Sequence, residues 1–103
     1  QDAATSQISS SEVFTLLEQF KNILNYSDLP EKEKAVCSIE VAQEEVNTEK
    51  PDKEFAIKNL QRTTKVLKEA GETVEAGSSL WKRVKPILVA ISPWLGVATN
   101  LLM

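Results

Sequence analysis

Residues 56–102 read AIKNLQRTTKVLKEAGETVEAGSSLWKRVKPILVAISPWLGVATNLL, and counting through them in sevens decides the fold. One position of the repeat holds Leu60, Leu67, Val74, Trp81, Leu88, Leu95 and Leu102. The position three further on holds Ala56, Thr63, Ala70, Gly77, Val84, Ile91 and Ala98. Alternating steps of three and four keep both sets on one stripe, which is how helices bury a narrow apolar seam. The chain therefore reads as all-α, a compact bundle of four to five mostly antiparallel helices with short connections.

Breaks in the quoted stretch set the helix ends. Gly71 and Gly77-Ser78-Ser79 interrupt it, and glycine costs about 1 kcal/mol in a helix interior. The unbroken sevenfold phase argues the other way, so a break near 76–79 and one continuous helix both stand as expectations. Pro86 falls inside the next helix, where it removes a hydrogen bond or introduces a kink. Ser92 before Pro93 has the pattern of a cap and first residue, predicting a separate short last helix. Both prolines fall off the apolar stripe.

Upstream, Ser9 and Glu12 have the spacing of a capping box, and Val13, Leu16, Leu17, Phe20, Ile23 and Leu24 follow at helical steps. Asp28 and Glu31 repeat the capping signature, with Pro30 in the first turn. The second helix then turns Ala35, Val36, Ile39, Ala42 and Val46 inward, and its outer face carries Glu40, Glu44, Glu45 and Glu49. Pro51 opens the third. The predicted organisation is a flexible segment over 1–8 and one domain over 9–103, with helices at about 10–25, 29–47, 52–75, 79–91 and 93–102. Cys37, the single cysteine, excludes an internal disulfide and reads as a small core residue beside Val36 and Ile39.

At 103 residues the chain has one core, burying about 60–70% of its unfolded surface. Its net charge of −3 argues against nucleic acid as a bulk partner. That sum hides an asymmetry: residues 1–50 hold ten acids and four bases, residues 51–103 five acids and eight bases. Complementary faces of a helical hairpin would account for it, with Lys58, Arg62 and Lys65 on the third helix set against the glutamates of the second. An external charged partner is the alternative.

Two stretches suggest where function resides. Pro86–Met103 is eighteen residues without a charge, preceded by Lys82, Arg83 and Lys85 and bracketed by Trp81 and Trp94. Flanking charge and tryptophan suit a membrane-inserting segment. Its length is at the lower limit for spanning, and Pro86, Ser92, Pro93, Gly96, Thr99 and Asn100 interrupt it. Packing within the domain or against a second protein is the better expectation. The small residues Ala56, Thr63, Ala70 and Gly77 suit either a partner helix or close packing against the first helix. Catalysis finds no support in the residue types: histidine is absent, and there is no glycine-rich phosphate loop, cysteine pair or nucleophile elbow. The acidic set Glu33, Glu40 and Glu44 reads as a solvated face rather than a metal or acid–base pair. No cofactor and no metal is expected.

Lys50-Pro51-Asp52-Lys53, opening a helix that continues Ala56-Ile57-Lys58-Asn59-Leu60, and the run from Leu80 to Leu88 resemble small helical accessory domains at the ends of multidomain bacterial, notably cyanobacterial, proteins. The likeness covers about half of the sequence and carries over no functional residue. It implies a recruiting or oligomerising piece whose chemistry lies elsewhere in a longer protein.

Together these readings predict a non-enzymatic protein–protein association module, an oligomerisation or adaptor domain, in the cytoplasm or at a membrane. Its partner is a copy of itself or another helix, and no nucleic acid. The predicted interaction face is Trp81, Val84, Leu88, Ile91, Trp94 and Leu95, with Lys58, Arg62 and Lys65 as a charged face. The alternative is a membrane-active protein working through 86–103.

Overall fold

The computed structural model describes residues 8–72 and 79–103, and all regular structure among them is helical. The elements are α1 (Ser10–Asn25), α2 (Lys32–Val46), α3 (Lys53–Glu69), α4 (Ser79–Leu95) and α5 (Thr99–Leu102).

The start of α1 falls where the capping box predicts. The Ser9 hydroxyl accepts from the Glu12 amide at 3.1 Å, and the Glu12 carboxylate accepts from the Ser9 amide at 3.0 Å. Its far end is closed by Lys32, whose ammonium donates to the carbonyls of Asn25 and Ser27 at 3.0 and 3.1 Å. A cation there meets the negative end of the helix dipole.

The second helix begins later than its sequence signals suggest. Leu29 is buried, and the loop around it turns to put it there, with Glu31 taking a left-handed conformation at φ 58°. The chain becomes helical only at Lys32, and the expected capping pair of Asp28 and Glu31 is not formed: Glu31 is itself the N-cap, without a side-chain cap bond. Asp52 does cap α3, its carboxylate accepting from the Phe55 amide at 3.1 Å.

α3 stops earlier than expected. Gly71, at φ 86°, lets the Glu72 amide reach the Leu67 carbonyl and its own amide reach that of Lys68. This left-handed closure is natural to glycine. So α3 closes at Ala70–Gly71 and α4 begins at Ser79; residues 76–78 of the predicted break, and Val74 and Gly77 of the repeat, lie outside the described residues, as do residues 1–7. Ile8 packs against the core.

α4 continues through both prolines, correcting the expected new helix at Pro93. Pro86 and Pro93 are exposed on its outer side. There the carbonyls four residues earlier, deprived of an amide, face water instead of the core. The helix ends at Gly96, φ 77°, with the same closure as Gly71: the Val97 amide reaches the Ser92 carbonyl, and the amide of Gly96 that of Pro93. α5 then folds back onto α3, where Gln61 donates to the Leu101 carbonyl at 3.0 Å and Thr64 to that of Leu102 at 2.8 Å.

Packing follows an up-down-up-down order. α2 and α3 form the most extensive pairing, α1 packs on α2 and α4, and α5 sits against α3 and α4. Ala56 and Thr63, expected to pack on the first helix or a partner, are buried on α3, whose main pairing is with α2. The core is built from Leu17, Phe20, Leu24, Ile39, Leu60, Leu67, Leu88 and Ile91, all at 0 or 1% exposure. Besides Thr64, a second buried polar side chain bonds between helices: Gln43 donates to the Phe14 carbonyl at 3.3 Å and to the Glu18 carboxylate at 3.0 Å. That bond first, and Lys21 at 3.1 Å second, hold the Glu18 carboxyl below its usual range.

Candidate association surface

The residues predicted to face a partner are the inside of the bundle. Trp81, Val84, Leu88, Ile91, Trp94 and Leu95 are exposed by 3, 0, 0, 0, 7 and 5% respectively. The side of α4 that carries them faces α1 and the bundle interior, with α5 folded against the helix. Trp94 is capped from outside by the Lys53 ammonium, 4.6 Å from its ring centre. The expectation that this stripe is free for a partner is therefore corrected: in the isolated chain it is core. The reason is the length of the repeat, which serves two helices that both line one interior.

The opposite side of α4 is the exposed one. At helical spacing it presents Lys82, Pro86, Val89 and Pro93, with Arg83 and Ala90 along one flank and Lys85 along the other. Val89 and, on α5, Leu101 are each 49% exposed, among the few large apolar side chains left in water. Because no charge occurs between Pro86 and Met103, the C-terminal part of this surface is wholly uncharged and its N-terminal end strongly basic. The sequence signal was present: two prolines seven residues apart inside one helix both have to face outward.

Among the described residues, no ion pair joins the acidic half to the basic one. The ion pairs among the described residues are Lys21 with Glu18, Lys21 with Glu40 at 3.7 Å, and Lys34 with Glu31, all within the first half. Glu31 also raises the Lys34 ammonium above its ordinary value. Lys58, Arg62 and Lys65 are exposed, and no ion pair among the described residues joins them to the glutamates of α2. The expected pairing of α3 with α2 through charge is thus not formed. Glu45 instead accepts from the Asp52 amide at 2.8 Å, steadying the turn into α3.

Two surface hollows complete the picture. One, of about 380 Å³, opens at the end of the bundle between the α1–α2 loop, Ala70 and the first turn of α4, with Tyr26 and Arg83 at its edge. The other, of about 470 Å³, is a shallow groove between α2 and α3 rimmed by Cys37, Arg62 and Val66. Cys37 is exposed, correcting its reading as core. It stands two residues from both Ala35 and Ile39, about 200° around the helix from each. No three His, Cys, Asp or Glu side chains cluster to hold a metal among the described residues.

No protein-family model, no curated protein and no solved structure matches this chain.

Proposed function

We propose that this chain is a non-catalytic helical association module and that it associates through the outer face of α4 with α5. The observation that carries this reading is the uncharged strip of Pro86, Val89, Ala90 and Pro93, with Leu101 of α5 also half-exposed, bordered by Lys82, Arg83 and Lys85, which join none of the ion pairs among the described residues. Exposed apolar surface rimmed by charge is what a protein partner covers. Among the described residues no ion pair joins the two halves, which supports the same reading by leaving the basic end available to an electronegative surface. The resemblance to recruiting domains at the ends of longer bacterial proteins agrees with it.

The rival reading, a membrane-active segment, has less behind it. No helix among the described residues is long and apolar enough to cross a membrane. The bulky side chains a bilayer would take up, Ile87, Leu88, Ile91, Trp94 and Leu95, are buried in the bundle.

The test is capture from a cell extract on the immobilised chain, comparing wild type with Val89→Asp/Leu101→Asp, while circular dichroism checks that both are equally helical. Proteins retained by wild type and lost by the variant support association through this face. Equal retention by both chains, with vesicles floating the wild type only, would transfer the reading to membranes.

A further inference from the structure

Independently of the outer face of α4, we infer that α5 is a detachable strap and that two copies of this chain exchange it, the α5 of each docking against α3 and α4 of the other. α3 and α4 scarcely meet directly; α5 packs on both and closes the gap between them. This four-residue helix does so with one fully buried side chain, Leu102 at 0% exposure. The structure therefore shows both the seat and the segment that fills it, and an identical chain carries that segment in the same form.

The ties between α5 and the bundle can break and re-form at low cost. Gln61 reaches the Leu101 carbonyl at the surface, where water takes its place. Thr64 is buried and has one hydroxyl proton, with the Leu102 carbonyl at 2.8 Å and the Gln61 carbonyl of its own helix at 3.1 Å both in reach. When α5 leaves, that proton turns to Gln61, so no buried donor is orphaned. No charge holds the segment, since none occurs between Pro86 and Met103.

Gly96 is the hinge. Its φ of 77° folds the chain back, a conformation costly to any residue with a Cβ, and nothing lies within 4 Å of where a Cβ would stand. Alanine there meets no obstacle but its own backbone, and favours α4 running on past Leu95 so that α5 is carried away from its own chain. Only residues 96–98 join the two helices. So short a connection gives a straightened hinge no slack to return α5 to its own seat, and a second copy fills it.

Disulfide trapping between full-length chains in a Cys37→Ser background tests this. One chain carries Gln61→Cys and the other Leu101→Cys, positions joined by the hydrogen bond above, and the two are mixed under oxidation. Exchange predicts a disulfide between the two chains that forms about five- to thirtyfold faster when both also carry Gly96→Ala. Leu102→Asp in both chains removes the anchor and should abolish it, with circular dichroism checking that the helices persist; if they do not, the effect of Gly96→Ala decides alone. Val89→Asp should leave the disulfide unchanged, which separates exchange from association through the outer face of α4. No disulfide between chains overturns exchange, as does one that Gly96→Ala fails to accelerate or that Val89→Asp abolishes.

Discussion

Leu88 and Val89 are adjacent in α4, about 100° apart around the helix, and one is buried while the other is half-exposed, so truncating each to alanine separates core from surface within one turn of helix. Leu88 is 0% exposed, and Leu88→Ala deletes its buried branch and leaves a cavity, at a cost of about 2–5 kcal/mol. Val89 is 49% exposed, and Val89→Ala should change stability by no more than about 0.5 kcal/mol. A domain of 103 residues has about 5–15 kcal/mol in all, so the first change takes a large share and the second almost none. Urea unfolding followed by far-UV circular dichroism reads the difference. With a slope of about 1–3 kcal/mol/M, a loss of about 3 kcal/mol lowers the midpoint by about 1–3 M for Leu88→Ala. The midpoint of Val89→Ala should move by less than about 0.5 M. Equal midpoints for the two variants would refute the assignment of Leu88 to a core formed by the single chain.

Further outcomes follow from particular residues. Gly71→Ala should cost about 1 kcal/mol by thermal or urea melting, because φ is 86° and the surroundings are open, leaving the backbone as the whole cause. The depressed Glu18 carboxyl contributes stability above its unfolded pKa, and this is lost as pH falls through the folded value, below the ordinary 4.5. Urea midpoints at pH 7 and pH 3 should therefore differ less for Glu18→Gln than for wild type. Cys37 should react stoichiometrically with a thiol reagent in the folded protein, with no lag for unfolding, since its thiol is on the surface. Lys53→Ala should raise the exposure of Trp94 and shift its fluorescence to the red, with a stability loss of about 0.5–1 kcal/mol.

Much of the fold is written locally. Ser9 and Glu12 place the start of α1 to the residue because a capping box is made by four adjacent positions and needs nothing distant. Ser10–Asn25 follows from the wide apolar face, which only a helix can bury. The misread points are those where tertiary packing decides. Asp28 and Glu31 carry a sound cap signal, but burying Leu29 reshapes the loop and moves the start of α2 to Lys32. Ser92-Pro93 looks like a helix start, yet the turn is already held by neighbours on both sides, and an outward proline is tolerated there. The unbroken sevenfold phase suggested a continuous helix, whereas it reflects two helices lining one core from opposite directions.

The surface was harder to read for a related reason. Trp81, Leu88 and Ile91 are conspicuous in sequence because they are large and periodic, and those properties belong to the core. The outer strip is made of proline, valine and alanine, which stand out only once the inside of α4 is assigned. Cys37 was misjudged by its chain neighbours, where its angle from Ala35 and Ile39 would have placed it outside.

The most direct test of which side of α4 associates is the methyl NMR spectrum across a dilution series from about 1 mM downward. Association through the outer face predicts concentration-dependent shifts at Val89, Ala90 and Leu101, with Val84, Leu88 and Ile91 unmoved. Shifts at Val84, Leu88 and Ile91 with Val89 and Ala90 still would contradict it, and a spectrum that does not change at all would exclude a second copy as the partner.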